Sequence, residues 1–229
     1  MITLKNVSKK YGEIEVLDKV NLNITNNKII GLLGVNGSGK TTIIKLINGL
    51  LKPSEGEVLI NGKIPSIESK KNISYLPENN CLDLNMKIAE LMKLFSDFYE
   101  DFDEKIANKL FNDFKIDING KLKNMSKGTK EKVQLVLVIS RKADIYILDE
   151  PISGVDPATR DNILDTILSN FNENATLLIS THLISDVERI LDEVIFVNDG
   201  KIMLHEDADK LRKEKNKSID QIFREVFKC

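Results

Sequence analysis

Tryptophan is absent from this 229-residue chain, and aromatic residues amount to only 6%. No aromatic-basic alternation of the kind that stacks single-stranded bases is visible. Neither sign of charge dominates. Lys and Arg number 33 against 35 Asp and Glu, leaving a net charge of −2 and a pI near 5.9. Nothing in that balance points to nucleic acid as a partner. Cysteine is scarce as well: Cys81 and Cys229 lie far apart and lack metal-ligand spacing. A disulfide framework and a zinc staple are both excluded, and a reducing compartment is the simple reading. Long apolar runs are missing too. The longest, around Val133 to Ile139, is far short of the roughly 20 residues that span a bilayer. The start, Met1-Ile2-Thr3-Leu4-Lys5-Asn6, has no signal-peptide pattern. Any membrane role must therefore come through another chain.

What is present is an ordinary globular composition, 41% hydrophobic and 30% charged, on a chain long enough to bury a sizeable core. Ile2-Thr3-Leu4 and Val20-Asn21-Leu22-Asn23-Ile24 alternate with period two, as half-buried strands do. After a turn at Asn26-Asn27, the run Lys28 to Leu33 suits a buried strand. Ile43, Ile44, Ile47 and Leu50 then recur at helical spacing. Pro53-Ser54-Glu55-Gly56 breaks the chain towards a strand pair, Glu57 to Ile60 and the segment after Asn61-Gly62. From about Leu84 to Phe114 the pattern is helical, with Asp97, Glu100, Asp101, Asp103 and Glu104 clustered. Beyond it, short apolar runs at Asp144–Leu148, Ala175–Ser180 and Val194–Val197 alternate with helical segments, which argues for a parallel sheet with crossover helices. The tail carries a capping box, Ser218 with Gln221, and then Ile222, Phe223, Val226 and Phe227 on one helical face. Val133 to Ile139 is ambiguous, because periodicity cannot separate strand from helix in a wholly apolar run. Its neighbouring motif decides for a buried helix.

The chemistry centres on Gly34-Val35-Asn36-Gly37-Ser38-Gly39-Lys40-Thr41, a G-x-x-x-x-G-K-T loop between an expected strand and an expected helix. Glycines let backbone N–H groups turn towards phosphate oxygens, and the helix that follows points its positive end at them. Lys40 is placed to neutralise the outer phosphates and Thr41 to offer a hydroxyl to Mg²⁺. The second element is Ile145-Tyr146-Ile147-Leu148-Asp149-Glu150. An apolar strand delivers Asp149 to its carboxyl end, where it can hold Mg²⁺, and Glu150 can take a proton from an attacking water. Alone, two acids at a strand end are more often solvated. The glycine loop upstream makes them the expected partner carboxylates.

Together with Tyr11, Tyr75-Leu76-Pro77-Glu78, Met125-Ser126-Lys127-Gly128-Thr129, Ser153-Gly154-Val155-Asp156 and Ser180-Thr181-His182, these motifs resemble, in order and rough spacing, the nucleotide-binding subunit of an ABC transporter. The resemblance covers essentially the whole chain. It implies an α/β P-loop NTPase core with a parallel sheet, an N-terminal antiparallel β-subdomain and an α-helical subdomain inserted at about 84–141, all in one ATPase domain over 1–229. It also implies hydrolysis of ATP with Mg²⁺, with Asn36 to Thr42 around the phosphates and Tyr11 stacked on adenine. His182 is expected on the γ-phosphate and the attacking water, and Asp156 at a dimer contact or as the cap before Pro157. Ser126 and Gly128 are expected to face the nucleotide of the opposite subunit.

Two features depart from the family pattern. Its fourth motif is usually LSGGQ, and Lys127 and Thr129 alter it here. Glu78 replaces the usual glutamine and puts a carboxylate near Mg²⁺ and the water, so it joins Asp149 and Thr41 as a candidate metal residue and Glu150 and His182 as a candidate catalytic one. Similar variants occur among half-size bacterial exporter ATPases for peptides and antibiotics. The expected partners are a second ATPase subunit, identical or not, and a separate transmembrane permease at the cytoplasmic face of the membrane. A soluble ABC ATPase acting on ribosomes or DNA is a rival. Such proteins resemble two fused nucleotide domains or carry long coiled coils, and this chain shows neither. A regulatory module that binds ATP but scarcely turns it over is another, which Glu150 and His182 together argue against.

Overall fold

The computed structural model describes residues 1–153, 157–172 and 174–227, apart from the side chains of 157–159. Strands β1 (Ile2–Tyr11) and β2 (Ile14–Ile24) form a hairpin, and β3 (Ile29–Leu33) leads through the glycine loop into α1 (Lys40–Ile47). β4 (Glu55–Ile60), α2 (Ile67–Lys71) and β5 (Ile73–Leu76) follow. Three helices, α3 (Ile88–Phe98), α4 (Glu104–Asp113) and α5 (Lys127–Ile139), precede β6 (Ile145–Asp149) and α6 (Pro157–Asn170). The chain ends with β7 (Thr176–Thr181), α7 (Ile184–Val187), β8 (Glu193–Asn198), β9 (Lys201–Asp207), α8 (Ala208–Lys215) and α9 (Ile219–Phe227).

The strands make two sheets. One is antiparallel in the order β2-β1-β4; the other runs β5-β6-β7-β3-β8-β9, parallel except for β9. The strands of the larger sheet are apolar on both faces because each face has its own core. Ile30, Leu32, Ile145, Ile147, Leu178, Ile195 and Val197 pack with α1 and the antiparallel sheet. Their alternating neighbours Leu33, Tyr146, Leu148, Leu177, Ile179, Val194 and Phe196 pack with the remaining helices. The period-two alternation thus divides one strand set between two cores. Parallel register aligns Leu32 with Ser180 and Ser180 with Asp149. The carboxyl ends of β3, β6 and β7 therefore open on one side, where open α/β sheets bind ligands.

Val133 to Ile139 is buried helix, as its motif context requires. The capping box forms, with Ser218 N–H donating to Gln221 Oε1 at 3.0 Å and Gln221 N–H to Ser218 Oγ at 3.2 Å. Along that helix Ile222 and Phe223 are buried, whereas Val226 is exposed and leaves the expected apolar face. The second strand expected after Asn61-Gly62 is not there. Ile60 and Lys63 make a single bridge; Pro65, which has no N–H, ends the pairing, and Ser66 caps α2. The acidic cluster has structural work. Asp103 caps α4 and pairs with Lys142, whose hydrogen bond holds its carboxyl below the usual range, and Asp101 pairs with buried Arg141.

Candidate nucleotide site

The glycine loop closes against the sheet. A Cβ at Gly34 would lie 2.5 Å from both Ser38 Oγ and the Val197 carbonyl, so only glycine fits. Gly39, at φ 109°, turns the chain into α1, which begins with no side-chain cap. The first-turn N–H groups are thus left to an external acceptor, and the positive end of the helix favours an anion. A cleft of about 260 Å³ opens there, lined by Val16, Asn36 to Thr42, Glu78 and Glu150.

Lys40 is 6% exposed and reaches back over its own loop, donating to the Gly34 carbonyl at 2.8 Å and the Val35 carbonyl at 3.1 Å. Its Nζ lies 3.7 Å from Glu150 Oε1. Burial pulls its pKa down, against the pull of Glu150, Asp149 and Glu78 upwards. Asp149 is fully buried at the end of β6, and Ser180 Oγ and, at 3.5 Å, Thr41 Oγ1 donate to its Oδ1. Burial raises its pKa, and the charges of Glu78 and Glu150 raise it further. Its other oxygen, Oδ2, is buried without a hydrogen-bond partner.

Glu150 turns sharply off the strand with φ 54°, a left-handed conformation that costs a non-glycine residue about 1–2 kcal/mol. The turn is held by Ser180, whose carbonyl and hydroxyl accept the Glu150 N–H at 3.1 and 3.2 Å. It brings Glu150 Oε2 to 3.0 Å from His182 Nδ1 and 3.3 Å from Thr181 Oγ1. Three carboxylates against one lysine leave the site short of positive charge. A divalent cation fits that imbalance and the unpartnered Asp149 Oδ2. Among the described residues no group of three or more His, Cys, Asp or Glu is arranged as a metal cage. Mg²⁺ needs none when it takes one or two protein oxygens, phosphate and water.

The profile of the ABC transporter family matches residues 17–153. The chain belongs to that family. The ABC transporter ATP-binding protein YtrB of Bacillus subtilis is 34% identical over 93% of this chain and 74% of its own length. The lantibiotic transport ATP-binding protein SrtF of Streptococcus pyogenes is 30% identical over 91% of this chain and 92% of its own. A solved dimeric ATP-binding cassette, MJ0796 in a post-hydrolysis state with ADP and Pi, superposes with a TM-score of 0.79 at 26% identity, over 90% of this chain and 98% of that one. This ABC protein is thus an ATP-hydrolysing subunit that powers a transporter.

Of the residues singled out from sequence, the fold brings Asn36 to Thr42, Glu78 and Glu150 to one cleft, with Asp149 and His182 bonded to its lining. Ser126 and Gly128 do not line it. They open α5, where Ser126 caps the helix through Thr129 N–H at 3.2 Å. Tyr11 is 46% exposed at the end of β1, with Lys9 Nζ 5.2 Å from its ring centre, and Val16 rather than Tyr11 lines the cleft. Asp156 lies outside the described residues. Sequence reasoning missed the bridging role of Ser180 and the bond from Thr181. A hydroxyl pair closing the otherwise apolar run Leu177 to Ile179 was the available signal.

Proposed function

We propose that this chain works as one of two nucleotide-binding subunits clamped head to tail around two ATPs, driving a separate membrane permease that exports a peptide, an antibiotic or another small molecule. One observation carries this reading. The loop and the carboxylates converge in a single cleft, while Ser126 and Gly128 start a different helix with open space around Gly128. Although Ser126 caps the Thr129 N–H, the open space at Gly128 leaves room at this helix start for the phosphate of a second subunit's nucleotide. The dimeric cassette among the similar structures supports the pairing, and the lantibiotic transport name of the Streptococcus relative supports export. No helix among the described residues is long and apolar enough to cross a membrane, so a permease would hold the subunit peripherally at the cytoplasmic face.

In this reading Lys40 exchanges its loop carbonyls for the β- and γ-phosphates, and Tyr11 offers its exposed ring to adenine. Thr41 and Asp149 would hold Mg²⁺, and Glu78 would add a third oxygen ligand group to that side of the cleft. The ion would neutralise phosphate charge and polarise the γ-phosphoryl group. Glu150 is the base. Its Oε2 is occupied by His182 and Thr181, so Oε1, released as Lys40 turns to phosphate, accepts the proton of the attacking water. With Nδ1 donating to Glu150, a neutral His182 has Nε2 left to accept from the attacking water, and it would bond a phosphate oxygen only with Nε2 protonated as well.

Mixing two inactive variants, Lys40→Ala and Ser126→Arg, tests the shared site. One site of the mixed dimer collects both defects and the other has neither. Hydrolysis in the mixture well above either parent, at high protein concentration or with the permease present, is the expected result. Activity no higher than the parents would count against a composite site between identical chains and leave a dissimilar partner or obligate two-site cooperation.

A further inference from the structure

Helix α5 runs antiparallel to strand β5, and polar groups stitch the two together. Gln134 Nε2 donates to the Pro77 carbonyl at 3.3 Å. Ser74 Oγ donates to the Val138 carbonyl at 2.7 Å. Arg141, just past the helix, donates to the Ile73 carbonyl at 2.6 Å and to the Lys71 carbonyl. Positions 134, 138 and 141 share one helical face, while their partners descend from Pro77 through Ser74 to Lys71. All three side chains of this seam are buried, Gln134 at 5%, Ser74 at 1% and Arg141 at 3% exposure.

Only the Gln134 bond reaches past the carboxyl end of the strand. The pairing of β5 with β6 ends at Leu76 opposite Leu148, and Pro77 has no N–H with which to continue it. The next backbone group is the Pro77 carbonyl that Gln134 holds, and the next side chain is Glu78. Glu78 lines the nucleotide cleft and also the neighbouring cleft that Gln134 lines. Its charge is felt at both Lys40 and Asp149. Yet Glu78 is exposed, so its own packing does little to aim it.

We propose that Gln134 is the positioning residue for Glu78, fixing the Pro77 carbonyl so that the carboxylate that follows is presented to the nucleotide cleft. The amide suits the task. It supplies a neutral donor to a carbonyl in a buried place, where glutamate would offer no N–H and lysine would add an unpaired charge. The seam also ties Glu78 to the helix that Ser126 caps, so a shift of α5 is transmitted to the cleft through this bond. The proposal rests on reading Glu78 as a carboxylate of the nucleotide site.

Gln134→Met keeps the volume and removes the donor; Gln134→Leu repeats the test with another apolar shape. Ser74→Ala, which loosens the same seam without touching Pro77, is the control. The first readout needs no nucleotide: a spin label on exposed Cys81, in a Cys229→Ser background, should become more mobile in Gln134→Met and not in Ser74→Ala. The second is the Mg²⁺ concentration for half-maximal hydrolysis. It should rise about three- to tenfold in Gln134→Met, the loss of one hydrogen bond, and Gln134→Met should add nothing once Glu78→Gln is present. An unchanged label and an unchanged Mg²⁺ curve in both Gln134 variants would overturn the proposal. So would Ser74→Ala reproducing both effects, because then any loosening of the seam suffices. If Glu78→Gln alone leaves the Mg²⁺ curve unmoved, the reading of Glu78 fails, and label mobility decides the part played by Gln134.

Discussion

Asp149 is held in its charged form at a cost. It has no exposed surface, one of its oxygens lacks a partner, and Glu78 and Glu150 stand close by. Its folded pKa lies above the ordinary carboxylate value, chiefly through burial. As pH falls, the native state therefore takes up the proton before the unfolded chain does. The charge works against folding at neutral pH, and that penalty disappears as pH drops through the folded pKa towards about 4. Asp149→Asn keeps an acceptor for Ser180 and removes the charge. Without nucleotide it should melt above the wild type at pH 7. That advantage should shrink as the pH approaches 4, and Mg-ATP binding should be weakened. Thermal unfolding across that pH range is the check. A variant melting no higher than the wild type at pH 7 would mean that Asp149 is not strained by its burial.

At the level of elements, the loop between β3 and α1 is where packing is least forgiving. A Cβ at Gly34 would meet both the Val197 carbonyl of β8 and Ser38 Oγ. Backbone of a central strand cannot withdraw as a flexible side chain would. Gly34→Ala should therefore cost about 1–3 kcal/mol of stability, seen as a lower urea midpoint, and should weaken ATP binding by deforming the cradle. An unchanged midpoint would show that the loop has room to shift. This element was legible in the sequence because its glycines, lysine and threonine act at fixed spacing. The buried strands were legible through apolar runs, and the terminal helix through its capping box. Three features were hidden. β9 and α8 carry mixed, polar sequences with little periodicity. The ladder expected after Asn61-Gly62 stopped at one bridge, since turn chemistry says where a hairpin folds but not how far it pairs. The bonds of Ser180 and Gln134 join residues distant in sequence, and only the register of β6 with β7, and of β5 against α5, brings them together.

At the scale of the molecule, the question is whether the cleft is a catalytic centre whose turnover opens a clamp. Glu150, the proposed base, sits on a left-handed turn with one oxygen held by His182 and Thr181. In the proposed reading the rest of the cleft binds and orients the phosphates. Glu150→Gln separates the two functions, since it keeps size and hydrogen bonding but takes no proton. The decisive measurement is single-turnover hydrolysis of Mg-ATP by Glu150→Gln, with equilibrium binding and size-exclusion chromatography on the same sample. The account predicts retained Mg-ATP binding, turnover lower by about two to four powers of ten, and a dimer that accumulates with ATP and dissociates without it. Hydrolysis at the wild-type rate would remove Glu150 as the base, and retained binding with no ATP-dependent dimer would contradict the clamp.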